Sequence, residues 1–183
     1  MGNNILQGFK SRFESRLSEE MSVIEYLELC RKDKMAYATA SERMLSAIGK
    51  KVVVDTRTDE RLSRIFQNRK IGTYPAMGAF YGMEETIDEI VSFYRHAAQG
   101  LEESKQILYL LGPVGGGKSS LAEQLKKIFE RVPFYALKCR KTGNISPVYE
   151  SPLGLFDAAE DGEAIRSEYG ISKRYLNTIA SPW

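Results

Sequence analysis

Gly112, Gly115, Gly116, Gly117, Lys118 and Ser119 are the residues of this chain whose types and spacing could do chemistry. With Pro113 and Val114 they read G-x-x-x-x-G-K-[ST], followed by Ser120, which is the pattern of a phosphate-binding loop. Glycines open backbone angles and close approaches that a Cβ would block. Successive N–H groups can then turn inward on phosphate oxygens, helped by the positive end of the helix that follows. In that arrangement Lys118 is the candidate catalytic residue, reaching the β- and γ-phosphates, and the Ser119 hydroxyl is the candidate Mg²⁺ ligand. The competing reading is a glycine-rich hairpin turn that binds nothing. What stands on either side of the loop decides between them.

Residues 106–111, Gln-Ile-Leu-Tyr-Leu-Leu, form an apolar, partly β-prone segment suited to a buried strand. After the loop, Leu121, Leu125, Ile128 and Phe129 recur at helical spacing among Glu123, Gln124, Lys126 and Lys127. Strand, glycine turn and helix, in that order, are the context such a loop requires. Upstream lies an expected helix with Ile87, Ile90, Val91 and Tyr94 on its apolar face and Gly100 just after it. Downstream, residues 132–137 read as a second strand, so the order begins a βαβ unit.

The first seventy or so residues have a different character. Leu6, Phe9, Phe13 and Leu17 make one helical stripe. Ser22-x-x-Glu25 and Thr39-x-x-Glu42 are capping boxes that open two further helices, and Gly49 is a natural stop for the second. Residues 51–55 are β-prone and 59–66 helical, while Pro75 disfavours helix at Tyr74. The expected division is an N-terminal helical region over 1–72 and a partial nucleotide-binding domain over 73–183. Near the far end, residues 160–169 suit a helix closed by Gly170.

Composition excludes several classes. Lys and Arg number 26 against 24 Asp and Glu, a net charge of +2, which provides no electrostatic footprint for nucleic acid. The basic groups around Arg61 to Lys70 and Lys138 to Lys141 read as solvated faces. Cys30 and Cys139 lie far apart, with no C-x-x-C spacing and no clustered histidines, so neither a zinc site nor a disulfide is expected. Reduced thiols fit a cytoplasmic protein. No run approaches the roughly 20 apolar residues of a membrane span. The start, Met1-Gly2, has Leu6 where myristoylation wants Ser or Thr.

Hydrolysis or phosphoryl transfer also needs a second carboxylate for Mg²⁺, a group that positions the nucleophile, and often an arginine finger. Asp157, with Glu160 and Asp161 behind it, is the local candidate, but Pro152 and Gly154 make 153–157 a poor central strand and a surface loop the preferred reading. His96 is the single histidine and reads as a helix-surface residue. No H-R-D or D-F-G occurs. With too few strands for a complete sheet, the chain is expected to be the N-terminal part of something larger.

The chain resembles the PrkA family of bacterial serine protein kinases, whose N-terminal module is an AAA-type ATPase domain. The matching segments include Tyr74-Pro-Ala76, Phe80-Tyr-Gly-Met-Glu84, residues 112–120, residues 146–156 and Ser181-Pro-Trp183. The resemblance implies an α/β fold: a P-loop NTPase, AAA-like three-layer core, incomplete here, with an N-terminal helical appendage. It implies ATP and Mg²⁺ as cofactors, the loop from Gly112 to Ser120 as the ATP site, and the Tyr81–Gly82 backbone bordering the adenine. Three activities follow from it: phosphoryl transfer to a protein substrate, AAA-type remodelling or degradation of protein partners by an oligomer, or an inactive piece that at most holds nucleotide.

Overall fold

The computed structural model describes residues 20–176. The stripe from Leu6 to Leu17 and the segment Ser181 to Trp183 lie outside them. Helix α1 (Val23–Lys32) starts where Ser22 and Glu25 cap one another, the Ser22 N–H donating to Glu25 Oε2 at 2.7 Å. Helix α2 (Ala40–Ile48) starts at Thr39 by the same exchange with Glu42 and stops at Gly49, whose φ of 85° a side chain would resist. Strand β1 (Val52–Asp55) is followed by α3 (Glu60–Phe66), capped by the Asp59 carboxylate, and by β2 (Lys70–Thr73).

The two strands pair antiparallel, from Val52 with Thr73 to Asp55 with Lys70. The buried Thr56 hydroxyl closes the end of this ribbon by donating to the Gln67 and Arg69 carbonyls. Strand β2 was not foreseen, because Gly72 and the nearby Pro75 mask its signal. Helices α4 (Glu84–Ala98), α5 (Lys118–Phe129) and α6 (Gly162–Tyr169) complete the α-helices and strands of the described residues.

Apolar spacing on these helices builds two main cores. In the first, Met44 and Ile48 of α2 meet Ile87, Ile90 and Val91 of α4 and Leu121, Leu125 and Ile128 of α5. Leu121 is 1% exposed, a burial that contributes about 2 kcal/mol. In the second, Tyr26, Leu27 and Cys30 of α1 meet Leu153, Ile165 of α6, Ile171 and Leu176. A smaller cluster joins Leu62 and Phe66 of α3 to Ile71 of β2.

Two expectations meet the structure at particular elements. The boundary at residue 72 cuts through β2, and residues from before it supply part of both main cores. Short amphipathic helices such as α1 and α2 bury their stripes only against other elements, and here the later helices provide them. The described part of 1–72 packs against those later helices. The strands expected at 106–111 and 132–137 are not built into a ladder either: the sheet of the described residues is the β1–β2 pair, and Lys138 and Ile145 form an isolated bridge. Residues 106–111 nevertheless keep a strand's alternation. Leu108 and Leu110 pack on the first core, while Ile107, Tyr109 and Leu111 are 91%, 79% and 85% exposed. One face is half-buried, and among the described residues the peptide groups find no neighbouring strand.

Candidate functional site

The loop between residue 111 and α5 is a sharp bend. Gly116 N–H donates to the Pro113 carbonyl at 3.2 Å, closing a turn through Val114 and Gly115. Gly115 and Gly117 have φ of 80° and 76°, in the left-handed region. A Cβ on Gly116 would stand 3.1 Å from the Pro113 carbonyl oxygen, and one on Gly117 would stand 3.3 Å from the Met83 sulfur. These contacts give a physical reason for glycine at both positions.

Gly117 is the N-cap of α5, and no side chain caps the helix. Its first turn carries no acidic residue either, so no carboxylate of that turn offsets the partial positive charge of the helix N-terminus. Lys118 folds back over the bend, Nζ donating to the Gly112 carbonyl at 2.7 Å and the Pro113 carbonyl at 2.5 Å. The ammonium thus sits over the loop, on acceptors of the kind phosphate oxygens would provide. Gly112 to Gly116, Ser119 and Ser120 are exposed; Val114 projects fully into solvent. The arrangement offers backbone donors, one cation and one hydroxyl to an anion with several oxygens, so the residues present fit a triphosphate.

The segment before α4 borders this loop. Met83 sits against Gly117, and Gln124 of α5 donates to the Ala76 carbonyl at 2.9 Å. Tyr74 is held in turn by donating to Asp88 Oδ1 at 2.8 Å, while Lys51 pairs with Oδ2 of the same carboxylate at 2.8 Å. A cleft of about 520 Å³ opens between the Phe80–Glu84 stretch, the start of α3 and the end of β2. Tyr81 lines it, with the Arg61 guanidinium 5.7 Å from its ring centroid. Gly82, at φ 79°, turns the chain into α4. Sequence reasoning passed over Glu84, which is 8% exposed and whose Oε2 is buried without a hydrogen-bond partner. An acidic residue in a first helical turn is too ordinary to be noticed.

Asp157 is engaged locally, accepting the Ala159 N–H at 2.6 Å and the Glu160 N–H at 3.3 Å, as its surface-loop reading anticipates. His96 lies on α4 with Nδ1 3.0 Å from Glu103 Oε1, away from any cluster. Among the described residues no group of three or more His, Cys, Asp or Glu side chains could hold a metal ion. Cys30 is buried, and that burial pushes its thiol pKa up; Cys139 is held below the usual thiol range by the Thr142 side chain and by the Thr142 and Lys141 N–H groups. No described helix is long and apolar enough to cross a membrane.

A glycine bend that delivers an uncapped helix N-terminus and a lysine to one point is the local geometry of the P-loop class of domain. The chain belongs to the PrkA AAA domain family, whose model matches residues 21–183, and membership implies a P-loop NTPase fold. It is 55% identical over 180 residues to the serine/threonine kinase YeaG of Escherichia coli K12, covering 98% of this chain and 28% of that protein. It is 32% identical over 166 residues to the ATP-dependent protease PrkA of Bacillus subtilis 168, covering 86% of this chain and 23% of the relative. The chain thus spans under a third of the length of these relatives. No solved structure matches it significantly.

Proposed function

We propose that this chain is the ATP-binding portion of a PrkA-type protein kinase, gripping the triphosphate of Mg²⁺-ATP with residues 112–120. The observation that supports it is the uncapped N-terminus of α5 beneath a glycine bend, with Lys118 already resting on oxygen acceptors at the same point. Backbone N–H groups from Gly115 to Ser119 orient the phosphates, and Lys118 neutralises charge on the outer two. Ser119 supplies one hydroxyl to Mg²⁺. Bound ATP supplies a transferable γ-phosphoryl group. In the whole protein the recipient is a serine of a protein substrate, a reading supported by the kinase name of the 55% identical relative. The three-layer AAA core and oligomerisation in the longer form belong to the same proposal.

A second reading has its own support. The Bacillus relative is named an ATP-dependent protease, so nucleotide turnover coupled to work on a protein partner uses the same loop. Labelled ATP given to the full-length protein separates the two: phosphoserine on a protein supports the kinase, and phosphate released to water with loss of intact partner supports the protease. The shared foundation is tested by titrating this chain with Mg²⁺-ATP. Lys118→Ala should weaken binding at least tenfold, about 1.4 kcal/mol. Equal affinity in variant and parent defeats the site.

A further inference from the structure

Charge changes sign along the second half of this chain. Residues 131–149 carry Arg131, Lys138, Arg140 and Lys141 and no Asp or Glu, whereas residues 151–165 carry Asp157, Glu160, Asp161 and Glu163 and no Lys or Arg. Both stretches are anchored in the second core, the first by Tyr135 and the second by Leu153 and Ile165. The first folds back on itself. Cys139 N–H donates to the Asn144 carbonyl at 2.8 Å and Ser146 N–H to the Leu137 carbonyl at 2.9 Å, which leaves Arg140 and Lys141 at an exposed tip. The second is a turn leading into α6, closed where Asp161 N–H donates to the Asp157 carbonyl at 2.8 Å. Lys138 pairs with Glu20 and Glu163 with Lys173, and among the described residues no ion pair joins one stretch to the other.

Charge by itself would be a weak adhesive, since exposed ion pairs are screened and contribute little. The basic stretch also exposes Phe134, Ile145, Val148 and Tyr149, and the acidic one exposes Leu155. Tyr149 holds a left-handed backbone, φ 52°, with its ring edge-on to Phe134 and the centroids 6.0 Å apart. A bulky residue is strained there, and strain kept at a surface ring points to a use for that ring. We propose that this basic, apolar hairpin docks on the acidic turn of a second copy of the chain. The two stretches are opposite in sign and matched four charges to four, and each copy carries both without pairing them internally. The apolar residues supply affinity, while the charges set register and speed encounter. Because unlike surfaces meet, the contact is heterologous and each copy offers one half of the next. Neither residues 112–120 nor a nucleotide takes part, so this proposal is tested separately from the ATP site.

Sedimentation velocity over a concentration series of this chain, in low and in high salt, is the test. The parent should self-associate in low salt and dissociate as salt rises. Reversing the tip (Arg140→Glu with Lys141→Glu) or the turn (Glu160→Lys with Glu163→Lys) should each weaken association at least tenfold. Mixing the two reversed chains, or placing all four substitutions in one chain, should restore it, because opposite charges then meet again. A parent that stays monomeric at every concentration overturns the proposal and leaves the hairpin to a different partner. Association that ignores salt, survives both reversals, or is rescued by neither combination overturns it too. The concentration and salt dependence of the parent decides the matter even if a reversed chain does not fold.

Discussion

Glu42 does more than cap a helix. Its carboxylate accepts the Thr39 N–H at 2.9 Å and the Tyr175 hydroxyl at 2.8 Å, and pairs with Lys34 at 3.1 Å and Arg174 at 3.0 Å. Burial pushes its pKa up, but the Thr39 N–H, Tyr175 and Lys34 outweigh that and hold it below the ordinary 4.5. A carboxyl with a lower pKa folded than unfolded stabilises the fold above the unfolded value, and the contribution fades as pH falls through the folded one. Glu42→Gln should therefore cost about 2 kcal/mol at neutral pH. The gap between variant and parent in urea melts should narrow below about pH 4.5; a gap independent of pH would contradict the assignment. At Gly117, with φ 76° and the Met83 sulfur close by, alanine should cost about 1 to 2 kcal/mol, read from the same melts.

Elements made by local rules were legible in the sequence. Both capping boxes, the Gly49 and Gly170 stops, and the apolar faces of α4 and α5 follow from spacing and cap chemistry, which act within a turn or two. The loop was legible for the same reason, since its glycines, lysine and serine are contiguous. Strands were less so, because a ladder needs a partner that the segment does not encode. Residues 106–111 have a strand's two faces without a neighbour, while β2 is a strand whose residues hardly advertise it. Glu84 was invisible because its interest lies in burial and a missing partner. The two-faced reading of 106–111 is testable. Leu108→Ala and Leu110→Ala should each cost about 2 kcal/mol, while Ile107→Thr and Leu111→Thr should stay within about 0.5 kcal/mol of the parent. Comparable losses at all four positions would show that both faces are packed.

At the scale of the molecule, the loop lies at the edge of the first core, exposed, with no carboxylate cluster for a metal among the described residues. Electrostatic stabilisation of phosphoryl transfer needs more groups than this loop holds. The chain on its own should therefore bind ATP and release phosphate no faster than buffer does; brisk hydrolysis by pure protein would redirect attention to Asp157. The way the cores are shared has a separate consequence. Because α1 and α2 complete cores whose other walls come from beyond residue 72, the described residues have no seam at that point along which they could come apart in stages. Heated in a calorimeter, it should give a single cooperative endotherm, and a chain begun at residue 73 should fail to melt sharply at all.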